Sequence, residues 1–148
     1  MKAKDIMNRD VITVKAEQSI QDAAKMLLEN KISGMPVIDD EGRVVGIISE
    51  ADLIYREKNI HTPGFVSILQ GIVFLESMKS MENQIRKIAA SKVEDVMTAK
   101  VIVVKEDTKT EDIVDLMLEK RINRVPVVND DGNLVGIVTR SDILKHII

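Results

Sequence analysis

One stretch of this sequence occurs twice. Residues 5–52 align without a gap with residues 95–142, at a constant offset of 90 positions. Gly46 then meets Gly136, and the register holds along the whole segment. A unit of roughly fifty residues leaves too much apolar surface exposed to be comfortably stable alone. We therefore expect the two copies to pack together as a pseudo-twofold pair, with the site of function in the cleft between them.

The composition excludes several classes of function. The 148 residues carry a formal net charge of -3, with one Tyr, two Phe and no Trp, so neither a basic surface nor stacking aromatics for nucleic acid are present. The absence of Cys and the presence of only two His exclude disulfides, thiol nucleophiles and a typical zinc site. The longest apolar run, at 72–75, is far too short to span a membrane, and no leader sequence precedes the first copy. We expect a cytoplasmic protein that binds neither nucleic acid nor membranes.

Each copy predicts the element order β-α-β-β-α, from β-branched runs that alternate with segments of helical periodicity. In the first copy the predicted elements are a strand at Val11–Val14, a helix at Ser19–Asn30, strands at Met35–Ile38 and Val44–Ile48, and a helix from about Ser49. In the second copy they are a strand at Val101–Val104, a helix at Thr108–Lys120, strands at Val125–Val128 and Leu134–Val138, and a helix from about Thr139. The predicted fold class is α/β (α+β).

Three local signals refine these elements. A proline near the start of the second strand in each copy predicts an edge strand or a strand start, because proline cannot donate a ladder hydrogen bond. The glycines that end Asp39–Gly42 and Asn129–Gly132 predict hairpin turns. Thr108 and Glu111 have the spacing of a helix capping box.

A connector separates the copies, which we place at residues 1–57 and 92–148. Apolar residues in 58–91 recur at spacings of three and four, and the segment is too long to be a structureless loop, so it is predicted to be helical. This helix is either a strut over the pair or an apolar face that makes a subunit contact or closes the cleft. Its surplus of apolar side chains predicts a homodimer, with Phe74 as the candidate anchor.

The most informative short motif is Gly-x-x-Ser/Thr-x-x-Asp. It runs from Gly136 to Asp142 and is echoed from Gly46 to Asp52. In each copy a strand ends, a hydroxyl follows, and an acid stands three residues later at a helix start. Taken alone, the motif is typical of a helix cap, which satisfies free amides and needs no ligand.

The motifs together resemble the cystathionine β-synthase (CBS) domain. They are the duplicated Gly-x-x-Ser/Thr-x-x-Asp, the Ile-x-x-x-Pro-Val at 32–37 and 122–127, and the Asp-Ile/Val-Met that opens each copy. Two copies in one chain resemble a CBS pair, or Bateman module, and the resemblance leaves the connector unexplained. It implies a non-catalytic regulatory module that requires no cofactor and binds AMP, ADP or ATP in its cleft, with S-adenosylmethionine as an alternative ligand. It also implies a disc-like homodimer that acts in trans on an unidentified protein partner.

The resemblance assigns roles to individual residues. Asp52 and Asp142 would accept hydrogen bonds from ribose hydroxyls, and Ser49 and Thr139 would lie near the phosphate at a helix N-terminus. The adenine slot would be apolar and borrowed largely from the opposite repeat. For the Asp142 site this implies Met7, Ile12 and Ile32; for the Asp52 site it implies Met97, Ile102 and Ile122. Each of these six is equally well interpreted as an ordinary core residue.

The two half-sites are predicted to be unequal. The second repeat carries Arg124 and Arg140 near its motif, where the first has Gly34 and Glu50. Guanidinium groups chelate phosphate oxygens, whereas a glutamate repels them, so the Asp142 site is predicted to be the phosphate-preferring one. In the alternative interpretation Arg140 and Glu50 point to solvent from the first turn of their helices.

Three hypotheses of function stay open. The first is the adenine-nucleotide sensor, and the second is a structural module in which the pair only dimerises and the motifs only cap helices. The third is an enzyme, for which the sequence offers no Ser/His/Asp set, paired-His metal motif or P-loop. Nucleotide binding separates the first two hypotheses, and turnover of bound ATP separates the third from both.

Overall fold

The computed structural model describes residues 1–54 and 91–147. The predicted connector, apart from Ser91, lies outside these ranges, and so does the candidate anchor Phe74. Within the described residues both repeats have the predicted order β-α-β-β-α, and each is preceded by one short helix that the sequence did not predict.

The first repeat contains six elements. They are helix α1 (Ala3–Ile6), strand β1 (Val14–Lys15), helix α2 (Ile20–Glu29), strands β2 (Gly34–Ile38) and β3 (Val44–Ser49), and helix α3, described over residues 50–54. The second repeat contains α4 (Val93–Val96), β4 (Val104–Lys105), α5 (Thr110–Lys120), β5 (Arg124–Val128), β6 (Leu134–Thr139) and α6 (Arg140–Ile147). The helix α2 and the four hairpin strands lie within one residue of their predicted bounds.

Each repeat has one three-stranded sheet, in the order β1-β2-β3 or β4-β5-β6. The first two strands of each sheet run parallel and the last two form an antiparallel hairpin. The hairpin turns end at Gly42 and Gly132, both with φ of 83°, a left-handed conformation that favours glycine. The predicted turns are therefore confirmed.

The prolines lie in central strands, so the edge-strand alternative is wrong. Strand β1 pairs with β2 only at Val37 and Ile38, which leaves Pro36 beyond the end of β1. The proline therefore occupies the part of the central strand that has a neighbour on one side only, where a missing N–H donor is tolerated. The other alternative, a strand start, is close to what the structure shows.

The first strand of each repeat is shorter than predicted. The run Val11–Val14 contributes only Val14 to β1, and Val101–Val104 contributes only Val104 to β4. The first two residues of each run, at 11–12 and 101–102, line the cavities between the repeats instead of pairing in a sheet. β-Branched composition indicated extended chain correctly but could not show that these residues have no strand partner.

The predicted capping box at Thr108 is wrong. Helix α5 begins at Thr110 with Lys109 as its N-cap, and Thr108 Oγ1 instead accepts a hydrogen bond from Lys105 N at 3.0 Å. In the first repeat, by contrast, Ser19 caps α2 and its Oγ accepts from Asp22 N at 3.0 Å. The hydroxyl before α5 serves the preceding turn, because that turn also needs an acceptor.

The short helices cross between the repeats. Ala3 and Ile6 of α1 are buried in the core of the second repeat, against Ile113 and Val125. Val93 of α4 is fully buried in the core of the first repeat. Each sheet is therefore covered by a helix that belongs, in sequence, to the other copy.

Backbone hydrogen bonds fix this crossing. Ala3 N donates to Thr108 O at 2.8 Å, and Val93 N donates to Gln18 O at the same distance. The chain after each helix adds an antiparallel bridge to the opposite hairpin, at Asn8 with Ile137 and at Ile47 with Thr98. Neither copy can complete its core alone, which agrees with the expectation that a unit of this size needs its partner.

None of the helices in the described part of the chain has the length and apolar character that crossing a membrane requires.

Candidate functional site

Two cavities lie along the seam between the repeats. The larger, of about 790 Å³, contains Ser49 and Asp52 and is called the Asp52 cavity. The smaller, of about 390 Å³, contains Thr139 and Asp142 and is called the Asp142 cavity. Both volumes fall in the range of about 300–1,000 Å³ that is common for sites of small-molecule ligands. The cleft predicted from the duplication therefore exists as two related sites.

The hydroxyl and the acid of each motif together form a capping box at the start of the following helix. Thr139 N and Thr139 Oγ1 donate to Asp142 Oδ2 at 2.8 and 2.9 Å. Ser49 N and Ser49 Oγ donate to Asp52 Oδ2 at 2.9 and 3.1 Å. The capping interpretation of the motif is therefore correct, but it occupies only one oxygen of each carboxylate.

The second carboxylate oxygen distinguishes the two sites. No described residue donates a hydrogen bond to Asp142 Oδ1, and this half-buried side chain lines its cavity. Asp52 Oδ1 accepts only a long bond of 3.4 Å from Thr98 Oγ1. A carboxylate oxygen can accept two donors, so each acid retains capacity for a ligand hydroxyl while it caps its helix.

The isoleucines predicted for the adenine slot lie in the cavities to which the sequence analysis assigned them. Ile12 and Ile32 line the Asp142 cavity, and Ile102 and Ile122 line the Asp52 cavity. In both cases they come from the opposite repeat. Each cavity thus combines a capping acid from one repeat with an apolar wall from the other.

The two methionines predicted for the slot lie elsewhere. Met7 packs directly on Gly136, and Met97 packs directly on Gly46. Neither is among the residues that line the cavities. A side chain at either glycine would clash with the methionine sulfur, so the methionine would have to move. The predicted contact of both methionines with adenine stays a prediction.

Arg124 reaches across the pseudo-twofold axis onto its own counterpart. Its guanidinium lies over Gly34, the residue that matches Arg124 in the first repeat, and Arg124 Nη2 donates to Ser33 Oγ. A Cβ at Gly34 would lie 2.6 Å from Arg124 Cζ. A side chain at this position would therefore displace the guanidinium from its place in this structure.

The guanidinium of Arg124 lies among opposing charges. Burial lowers the pKa of Arg124, Glu50 and Asp52 oppose this shift, and Arg140 adds to it. The group stays protonated, because even a lowered arginine pKa remains far above neutrality. Its charge is therefore held in a half-buried position, with carboxylates on the side of the Asp52 cavity.

Arg140 and Glu50 are both exposed, as the solvent-facing alternative expected, yet both line a cavity. Arg140 and Arg124 line the Asp52 cavity as well as the Asp142 cavity, whereas Glu50 lines only the Asp52 cavity. The two arginines that distinguish the second repeat in sequence are thus available to both sites.

The comparisons with known proteins identify the family. The profile of the CBS domain matches residues 3–59 and 93–148. The chain belongs to the CBS domain family. Its elements form two CBS repeats of mixed α/β structure, as the sequence predicted.

Three relatives show how closely this CBS pair follows known proteins. An uncharacterized protein of Methanocaldococcus jannaschii is 36% identical, over 100% of this chain and 92% of its own length. The structure of CBSX2 in complex with AMP, an Arabidopsis thaliana protein, is 32% identical with a TM-score of 0.75, covering 99% of this chain and 95% of that chain. The CBS domain pair of protein MJ0100, in complex with 5′-methylthioadenosine and S-adenosyl-L-methionine, is 28% identical with a TM-score of 0.73, at 99% and 95% coverage.

Other relatives are longer than this CBS pair. The chain spans 23% of an inosine-5′-monophosphate dehydrogenase of Methanocaldococcus jannaschii and 58% of the chloroplastic protein CBSX1 of Arabidopsis thaliana. The chain thus covers only part of these relatives, and the activity of the longer enzyme is not assigned to it.

Sequence reasoning missed several charged residues of the CBS pair that line its cavities. Lys31 and Lys145 line the Asp142 cavity together with Asp10, and Lys100 and Arg121 line the Asp52 cavity. The offset of 90 positions could have found two of these pairs, because it relates Asp10 to Lys100 and Lys31 to Arg121. With these residues included, four basic and two acidic side chains of the described chain line each cavity.

The described residues contain no cluster of three or more His, Cys, Asp or Glu side chains that could hold a metal ion.

Proposed function

We propose that this chain is a non-catalytic regulatory module that binds adenosine-containing ligands in the Asp52 and Asp142 cavities and signals their presence to a protein partner in trans. The observation that carries the proposal is the same in both cavities. An acid caps a helix with one oxygen and retains the other for a ligand, opposite an isoleucine wall from the other repeat. Duplication of the whole arrangement argues against a purely local capping role.

The geometry suits the parts of an adenosine moiety. The uncommitted oxygen of Asp142 suits the ribose hydroxyls, which can donate charge-assisted hydrogen bonds to it. Ile12 and Ile32 offer an apolar surface for the base. Thr139 lies where β6 meets the N-terminus of α6, where the helix dipole favours an anion. The corresponding residues of the Asp52 cavity offer the same three features.

The ligands of the relatives share the same moiety. AMP in CBSX2 and both compounds in MJ0100 contain adenosine, whereas only AMP carries a phosphate. This supports adenosine as the recognised part, with the tail as the variable part. Arg124 and Arg140 favour a phosphate tail and hence AMP, ADP or ATP in this chain, and S-adenosylmethionine is the second candidate. The preference of the Asp142 site for phosphate stays a prediction.

The assembly and setting belong to the same proposal. The homodimer through the connector is inferred from its apolar side chains together with the resemblance, and the regulated partner in trans from the resemblance. The cytoplasmic location is inferred from the sequence pattern, and the described residues test none of the three. The domain bounds 1–57, 58–91 and 92–148 remain our division of the chain. The matched ranges 3–59 and 93–148 support the two repeat ranges 1–57 and 92–148 to within two residues at each end.

Two measurements test the ligand. The chain contains one Tyr and no Trp, so a nucleotide retained through purification dominates its absorbance near 260 nm, and mass spectrometry of the released compound identifies it. Calorimetry of the stripped protein with AMP, ADP, ATP, S-adenosylmethionine and adenosine then ranks the ligands, with GMP as the matched control for the base. We expect adenosine and at least one adenine nucleotide to bind, and GMP to bind more weakly.

The other hypotheses predict different results. No heat and no thermal shift with any adenosine compound at millimolar concentration would favour the structural dimerisation module. Tight binding of S-adenosylmethionine with weak binding of all nucleotides would favour the alternative that this chain is a sensor of S-adenosylmethionine. Release of phosphate from bound ATP would favour an enzyme.

A further inference from the structure

The two cavities are separated by one shared wall. Four residues line both of them: Ser33, Asn123, Arg124 and Arg140. Arg124 is the half-buried cation of this wall, and Arg140 is exposed. A charged group on such a wall acts on whichever cavity holds an oppositely charged ligand.

The position of Arg124 on the shared wall is constrained. Its Nη2 donates to Ser33 Oγ, and the guanidinium lies over the buried Gly34. The remaining donors form one planar fork, which matches a single phosphate in a paired geometry. The guanidinium is therefore placed to chelate one phosphate at a time, either in the Asp142 cavity or in the Asp52 cavity.

Because of the charges around Arg124, phosphate binding in one cavity changes the electrostatics of the other. Glu50 and Asp52, on the side of the Asp52 cavity, attract the guanidinium, and Arg140 repels it. If a phosphate in the Asp142 cavity engages Arg124, these two carboxylates lose part of their compensating charge. The Asp52 cavity then becomes less favourable for a second anion but not for an uncharged ligand.

We propose that Arg124 is an anion ligand shared by the two cavities, so that a phosphate-bearing adenosine compound in one cavity weakens binding of a second such compound in the other. This regulation of the site rests on the proposed function. Uncharged adenosine, which does not need Arg124, occupies both cavities independently. The coupling is reciprocal, because linkage requires each ligand to change the affinity of the other by the same factor.

The test compares AMP with adenosine by calorimetry at 0.15 and 0.5 M salt. The variants Asp52→Ala and Asp142→Ala each report one cavity with the other weakened, and the wild type reports both together. For AMP we compare the product of the two wild-type dissociation constants with the product of the two values from the single-cavity variants. We expect the wild-type product to be about tenfold larger, because the loss of one charge-assisted hydrogen bond weakens binding by about that factor. For adenosine the two products should agree. The AMP coupling should persist at 0.5 M salt, where direct repulsion between distant phosphates is screened.

Arg124→Met removes the shared cation and should abolish the excess. Arg121→Met is the matched control, because Arg121 lines only the Asp52 cavity and its loss weakens one site without altering the coupling. Gly34→Ala is a second route if Arg124→Met does not fold. Its Cβ displaces the guanidinium without removing the charge, and the excess should fall likewise.

The outcomes separate the two proposals. Binding of AMP in both cavities without an excess, or tighter binding of the second AMP, would overturn the shared-ligand inference alone. An undiminished excess at 0.5 M salt in a folded Arg124→Met variant would do the same. Absence of binding by AMP and by adenosine would overturn the proposed function and this inference with it.

Discussion

The two repeats have the same strand order and the same hairpin register, but they differ where they meet. At the axis the first repeat has Gly34 and the second has Arg124, and the arginine lies on the glycine. Arginine at both positions would crowd two guanidiniums into the same space and bring like charges together. The difference shows that this duplicated unit is asymmetric at its axis, and that the asymmetry places one cation between two otherwise similar sites.

The largest expected effect concerns helix α1, which belongs to the first repeat in sequence but packs in the core of the second. Ile6→Ala removes a side chain that is 6% exposed and packs in the core of the second repeat, so we expect a loss of about 2–5 kcal/mol of stability. Hydrogen exchange should show that β5 and β6 lose more protection than β2 and β3. Leu28→Ala, at a side chain that is 54% exposed, is the control and should change stability by less than about 0.5 kcal/mol. Greater loss of protection in the first repeat would contradict the crossing of α1.

The order of elements could be predicted because it depends on local patterns. Period-two and helical patterns, the turn glycines and the repeated register are all visible within a few residues of each element. The crossing of α1 and α4 could not be predicted in the same way, because nothing in Ala3–Ile6 indicates which of two similar sheets it covers. Tertiary packing decides that choice.

The same limit applies to the candidate site. The capping acids and the isoleucines follow from the duplicated motif and the resemblance, and the structure brings them together in the cavities. The reach of Arg124 across the axis depends on a side-chain conformation and on the empty space at Gly34. The sequence therefore assigned both arginines to one site, whereas they line two.

The second prediction compares the two acids. Asp142→Ala should weaken adenosine in its cavity by about tenfold or more, because charge-assisted bonds of about 1.5–3 kcal/mol are lost. Asp52→Ala should have a smaller effect, since Asp52 Oδ1 already accepts from Thr98 Oγ1 and has only one lone pair left for a ribose hydroxyl. Calorimetry measures both, with Asp142→Asn as the control that keeps an acceptor for the helix cap. Unchanged affinity in Asp142→Ala would remove the carboxylate from the site.

The third prediction restores symmetry at the axis. Gly34→Arg places a second guanidinium on Arg124, and overpacking of this kind costs about 1–3 kcal/mol. The exchanged variant with Gly34→Arg and Arg124→Gly should regain most of that loss, because the arginine then lies on a glycine from the other side. Thermal unfolding of both single variants and the exchange forms a double-mutant cycle. Additive losses in the cycle would show that the two positions do not pack on each other.

The smallest expected effect concerns the exposed pair of Arg140 and Glu50, which occupy matching positions. Arg140→Glu should weaken ATP by roughly threefold to tenfold and leave adenosine nearly unchanged, because the exposed guanidinium contributes only to the binding of phosphate. The difference should shrink as salt rises from 0.05 to 0.5 M, since solvent screens an exposed charge. Glu50→Arg is the matched reversal and should strengthen ATP in the Asp52 cavity, which Glu50 lines. Equal weakening of ATP and adenosine by Arg140→Glu would show that Arg140 acts on the shape of the cavity and not on phosphate. The asymmetry between the repeats would then depend on Arg124 alone.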